Sequence, residues 1–353
     1  MKKNLYTLSL ITAALSFSQF AQADARFAAE GAWSKAAYDS LQILATAPGA
    51  NTDPKNPGSN VYPYASFTVQ DFKTTDGKNV RLWIPNGASG KLPLLAFGPG
   101  KSLSNATNYQ AMFEHAAKKG MVVANIQFEG SFLDTDFVKF AGWFNNAVKQ
   151  TLARVTQADP AQVWYAGHSL GSQVAVIAAA RATTLDTANA FVDPKGMLLM
   201  AYDNSNGPSN PGNLNDPALG YAVKVGSQVR AMIFEFEDDS IAGPAKNYAQ
   251  ALYNKLPSAQ RQWVRVKGKT LGSYGLEANH NTPLTGGGAP LGIGGAAKNN
   301  ALDWYMVWKA AAGMPLSTNS ADAASHLSGA ALLHGGIASD GKVMQHQLMG
   351  QSF

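Results

Sequence analysis

Residues Gly167-His168-Ser169-Leu170-Gly171 set a serine between two glycines, each two positions away. The run before them, "VWYA", reads as a strand, and the small apolar run after them, "SQVAVIAAA", reads as a helix. Glycine at both places permits a sharp strand-to-helix turn, because a side chain at either would crowd the neighbouring strand or helix. Such a turn holds Ser169 out at the end of the strand. The helix beginning at Leu170 directs its free amides and positive end at the same spot, where negative charge would develop on an attacked carbonyl. The chemistry is nucleophilic attack by a hydroxyl.

A serine hydroxyl needs a base, and the base needs an orienting carboxylate. The acid is expected at the end of a later strand, and "VRAMIFEFEDDSIAGPA" ends an apolar run at Glu237-Asp238-Asp239. Asp239 is the choice and Asp238 the reserve; a strand-terminal acid could instead simply cap the helix near Gly243. Four histidines follow: His280, His326, His334 and His346. His280, in "EANHNTPL", lies in a loop shortly after the last predicted strand, so it is preferred over the three tail histidines. His168 lies inside the elbow and cannot fold back onto its neighbour as a base. His115 sits in a helical pattern, where a partly buried or surface histidine is the ordinary reading. None of these histidines has metal-ligand spacing, so no metal is expected.

Two backbone amides would complete the chemistry. The segment "PLLAFGPGKSLSNATNYQAMF" puts Gly100-Lys101-Ser102 between a strand and a helix. A phosphate-binding loop would need a glycine five residues before Gly100, and position 95 is leucine, so nucleotide binding is not expected. As a turn after a strand, the segment offers the Lys101 N–H to pair with that of Leu170. Pro99 has no N–H to offer.

The elements that must position these residues alternate. Strands are predicted at "SFTVQDF", "NVRLWIP", "PLLAF", "MVVANIQF", "QVWYAG", "MLLMAY", "VRAMIFEFE" and "QWVRVK". Helical patterns cover roughly 106–119, 137–155, 170–182, 245–256 and 297–311. Two β segments followed by βα units predict a mostly parallel eight-stranded sheet with helices on both faces. Residues 203–219, rich in Asn, Pro and Gly, read as a long loop.

The N-terminus, two lysines and an apolar stretch ending in Ala21-Gln22-Ala23, reads as an export signal over residues 1–23. It would leave the protein secreted or periplasmic. Residues 24–61 are an N-terminal extension, 62–315 the main domain, and 316–353 a small-residue-rich tail. No later run approaches the roughly 18 to 20 apolar residues of a membrane span. With no cysteine, disulfides and thiolate nucleophiles are excluded. Losing Lys2 and Lys3 would lower the formal charge from +5 to +3, too mild a balance to imply nucleic acid.

The segments "LLAFGPGKS", "YQAMFEHAAKKGMVVANIQF", "GHSLGS", "IFEFEDDSIA" and "ANH", in this order, resemble the α/β-hydrolase superfamily. Within it they are most similar to the branch of bacterial cutinases, poly(ethylene terephthalate) hydrolases, dienelactone hydrolases and platelet-activating-factor acetylhydrolases. The resemblance spans roughly 62–312. It implies the α/β-hydrolase fold, Ser169 as nucleophile, Asp239 as acid, His280 as base, Lys101 and Leu170 as oxyanion donors, and Tyr202 as an aromatic wall of the acyl cleft. It implies no cofactor. Ser172 departs from the branch, which commonly has a second glycine there. The expected activity is hydrolysis of a small or polymeric ester, with lipase or peptidase action on the same fold as an alternative. A non-catalytic binding module is the reading from another class, and candidates for all three triad roles argue against it.

Overall fold

The computed structural model describes residues 55–352, except 129–133, 135, 186–190, 204–216, 258, 272–273, 286–293, 296, 298 and 338–341. The expected export signal over 1–23, most of the expected extension and most of the expected 203–219 loop therefore lie outside the described residues.

Eight strands form where apolar runs predict them: β1 (Phe67–Lys73), β2 (Asn79–Pro85), β3 (Leu92–Gly98), β4 (Val122–Gln127), β5 (Ala158–His168), β6 (Gly196–Met200), β7 (Arg230–Phe236) and β8 (Arg261–Val266). Four short strands follow, β9 (Lys269–Leu271) with β10 (Tyr274–Leu276) and β11 (His334–Ile337) with β12 (Val343–Gln345), each pair a small antiparallel ribbon. A last strand, β13 (Gln347–Ser352), joins the main sheet, making nine strands rather than the expected eight among the described residues. Their order is β1-β2-β4-β3-β5-β6-β7-β8-β13. Strands β4, β3, β5, β6, β7 and β8 run parallel; β1, β2 and β13 pair antiparallel to their neighbours.

The helices are α1 (Gln110–Lys118), α2 (Phe137–Arg154), α3 (Leu170–Ala180), α4 (Pro217–Ala222), α5 (Tyr248–Lys255), α6 (Trp308–Leu316), α7 (Ala321–His326) and α8 (Gly329–Leu333). The expected 297–311 pattern is realised later, as a π-helical turn Asp303–Val307 leading into α6, which runs on past Pro315.

Alternation along the central strands sorts side chains between two cores. Leu95, Phe97, Trp164, Ala166, Leu198, Met200 and Phe234 face α1 and α6. Leu94, Ala96, Val163, Tyr165, Leu199 and Ile233 face α2, α3, α4 and α5. A sheet covered on both faces needs apolar residues at both parities, which is why these strands read as unbroken apolar runs rather than as alternation. The stretch Asn56–Val61 is fastened to the end of α1: the buried Lys119 ammonium donates to the carbonyls of Asn56 and Val61 and to Ser59 Oγ. The tail beyond 316 is folded, supplying α7, α8, β11, β12 and the edge strand β13.

Candidate active site

The parallel strands bring their carboxyl ends to one edge. Gly98 of β3 pairs with Gly167 of β5, His168 with Met200 of β6, and Met200 with Phe234 of β7. The segments following these positions contain Lys101, Ser169, Tyr202 and Asp239.

At the elbow Ser169 has φ 53° and ψ −120°, a conformation L-residues rarely adopt. Holding it there costs on the order of 1–3 kcal/mol, and the surroundings must enforce it. Ser169 N–H donates to the Met200 carbonyl at 2.9 Å. The flanking glycines are required by close approach: a Cβ on Gly171 would lie 1.9 Å from the Gly98 oxygen, and one on Gly167 would lie 2.3 Å from the Gly171 oxygen. Ser172 adds a fastener. Its hydroxyl donates to the Gly167 carbonyl at 2.8 Å and accepts from the Met200 N–H at 3.1 Å, tying the elbow to β6.

Asp239 and His280 meet. His280 Nδ1 lies 2.8 Å from Asp239 Oδ2, and both residues are buried. Asp239 Oδ1 accepts from the amides of Ile241 and Ala242 at 2.7 and 2.9 Å. The acid therefore caps its turn and holds the imidazole at once, each with a different oxygen. With Nδ1 donating to the carboxylate, the neutral ring carries its lone pair on Nε2. Neither His280 Nε2 nor Ser169 Oγ is hydrogen-bonded among the described residues. Their segments are nonetheless adjacent: the ring of His168, the residue before Ser169, has its centroid 5.0 Å from that of His280.

Asp238, the reserve acid, has a separate task. Its Oδ2 accepts from Ala278 N–H and its own N–H donates to the Ala278 carbonyl, both at 2.9 Å, clamping the loop two residues before His280. From the other side Gly294 packs on that loop at φ 88°, and a Cβ there would lie 2.9 Å from His280 Cβ. Two of the three tail histidines are engaged elsewhere, His334 Nδ1 with the Gly336 amide and His346 Nδ1 with the Lys267 amide.

One expectation needs correction, and two further residues have surroundings the sequence did not show. His115 is neither on the surface nor half-buried: it is 2% exposed, bonded to the Pro57 carbonyl and the Tyr62 hydroxyl, and burial pushes its pKa down to about 3. Tyr202 is 1% exposed and belongs to the core cluster that holds Leu199 and Ile233. His168 is no base, as expected, but both its ring nitrogens are engaged by other parts of the site: Nδ1 lies 2.8 Å from the Tyr109 hydroxyl and Nε2 2.8 Å from the His280 carbonyl. Sequence reasoning missed this role. The available signal was its position in a glycine-flanked turn, where the backbone is fixed and the side chain's direction with it.

Lys101 and Leu170 flank the elbow from two elements. Leu170 opens α3, where the first amides have no partner within the helix. Lys101 follows Gly100, whose N–H donates to the Tyr109 hydroxyl at 3.0 Å. Among the described residues no cluster of three or more potential metal ligands occurs. No helix among them is long and apolar enough to cross a membrane.

Sheet order, helices on both faces and the elbow between β5 and α3 define the α/β-hydrolase fold. The Lipase (class 3) family matches residues 101–193, a segment that begins at the turn after β3 and contains the elbow. That match supports a hydrolase of lipase or esterase type. Among solved structures, the acylaminoacyl peptidase of Pyrococcus horikoshii is similar at 14% identity and a TM-score of 0.45, over 58% of this chain and 37% of that one. This chain thus spans little more than a third of the peptidase's length. No curated protein matches the sequence.

Proposed function

We propose that the protein is an exported serine carboxylic-ester hydrolase working through an acyl-enzyme. The observation that carries the reading is the 2.8 Å bond from His280 Nδ1 to Asp239, beside a serine held at φ 53°. Ser169 Oγ attacks the ester carbonyl as His280 Nε2 takes its proton. Asp239 keeps the imidazole in the Nδ1–H tautomer and stabilises the imidazolium. The N–H groups of Lys101 and Leu170 receive the oxyanion, the alcohol leaves with the proton returned by His280, and water repeats the sequence on the acyl-enzyme. No cofactor enters these steps.

An ester is favoured over an amide because its alkoxide leaves more readily. The resemblance to cutinases and polyester hydrolases makes short acyl esters and polyester film the substrates to try first, with longer acyl chains testing the lipase alternative. Export rests on residues 1–23, and N-terminal sequencing of the mature protein should begin near Asp24. The deciding experiment is fluorophosphonate labelling with p-nitrophenyl acetate hydrolysis. Wild type should label and turn over, and Ser169→Ala should lose labelling and roughly 10⁶-fold in kcat. Folded wild-type protein that does neither would overturn this reading and favour the binding module instead.

A further inference from the structure

Three segments of the site are joined by a chain of hydrogen bonds through two buried side chains outside the triad. The Tyr109 hydroxyl lies 3.0 Å from the Gly100 amide and 2.8 Å from His168 Nδ1, and His168 Nε2 lies 2.8 Å from the His280 carbonyl. Tyr109 and His168 are both fully buried. Chemistry fixes the direction of every bond. A carbonyl only accepts, so His168 Nε2 carries the proton and the neutral ring's Nδ1 must accept; an amide only donates, so the Tyr109 oxygen accepts from Gly100 and gives its own proton to His168. Burial, and after it the charge of neighbouring His280, push the His168 pKa well below its usual value, which keeps the ring in this neutral form. The contact is also steric: a Cβ on Gly100 would lie 2.9 Å from His168 Nδ1.

We infer that Tyr109 and His168 are positioning residues, forming a one-way relay that sets the spacing between the Lys101 amide and the His280 base on either side of Ser169. The inference rests on the esterase reading above. Lys101 N–H belongs to the peptide next to the one Tyr109 holds, so a shift of Gly100 moves the oxyanion donor. His280 is fixed twice, its ring by Asp239 and its main chain by His168. Removing the Tyr109 hydroxyl leaves two buried groups, Gly100 N–H and His168 Nδ1, seeking new partners, and the two loops lose their common reference.

The test is Tyr109→Phe, which keeps the ring in the core, together with His168→Leu and His168→Gln, the latter restoring a donor and an acceptor. On p-nitrophenyl butyrate, Tyr109→Phe should lower kcat about tenfold with KM nearly unchanged, less than the 10² to 10³ lost with an oxyanion donor itself. His168→Leu should lose more, and His168→Gln should recover part of that loss. Nitrogen-15 NMR of Ser169→Ala protein should show His168 as the Nε2–H tautomer between pH 5 and 8. The inference is overturned if Tyr109→Phe keeps wild-type kcat, if the variants lose only thermal stability while kcat per folded molecule holds, or if His168 proves to be the Nδ1–H tautomer. Wild type that neither labels nor turns over sinks the esterase reading itself, and this inference with it.

Discussion

His280 at the site and His346 in the tail are buried alike, 6% and 2% exposed, and each is hydrogen-bonded through Nδ1. The partners are opposite in kind. His280 Nδ1 faces the Asp239 carboxylate, so it donates and leaves the lone pair on Nε2. His346 Nδ1 accepts from the Lys267 amide at 3.0 Å, which puts the ring's proton on Nε2 and uses its only lone pair. Burial, then the nearby Lys309 ammonium, push the His346 pKa down to about 3. His346 is left with no lone pair to take up a proton, whereas the carboxylate on His280 Nδ1 leaves the Nε2 lone pair available for the base role proposed for it.

The most severe way to break this contrast is Asp239→Asn. The amide can present its NH₂ to Nδ1 and favour the wrong tautomer, and kcat should fall about 10⁴-fold with the fold retained, read by stopped-flow hydrolysis beside circular dichroism. A smaller effect is expected one residue earlier. Asp238→Ala leaves the Asp239–His280 bond in place but removes the side-chain half of the loop clamp at Ala278, so kcat should drop about tenfold while the acid limb of its pH profile stays where it was. A larger loss from Asp238 than from Asp239 would reverse the assignment of the acid.

The smallest expected effect lies in the tail and in pH. His115, His334 and His346 all have pKa values pushed down to about 3, chiefly by burial, against about 6.5 in the unfolded chain. The unfolded state binds more protons between those values, so stability is full above about pH 6.5 and is lost as pH falls toward 3. The urea midpoint should therefore be lower at pH 5 than at pH 7.5. His346→Gln should flatten that dependence and leave kcat unchanged; a midpoint that rises on acidification would contradict it.

The sheet was legible because its central strands β3 to β7 are dense in apolar residues and buried on both faces, while β1, "FTVQDFK", is an exposed edge strand that reads as one from its alternation. Strand β13 was not: "QLMGQS" is short and half polar, and its register shifts between Leu348 and Gly350. It becomes a strand only because β8 offers it an edge. At the site, Ser169 was legible from local spacing, since Gly167 and Gly171 are demanded by contacts within one turn. Asp239 and His280 followed from the order of elements. The parts that escaped are those whose partners lie far along the chain: Tyr109 on His168, Asp238 on Ala278, Gly294 against the His280 loop. A hydroxyl or carboxylate that supports another residue looks, in sequence, like any other polar side chain.

Strand β13 is laid along β8 roughly 85 residues after β8 itself is made, Ser352 opposite Arg261 and Gln347 opposite Arg265. Until that late segment arrives, the row of amides and carbonyls along β8 has no cover, and an uncovered flat edge invites pairing with another chain. A nonsense mutation between residues 281 and 347 would leave that edge permanently bare, giving chains prone to clump although every residue proposed for chemistry is still present.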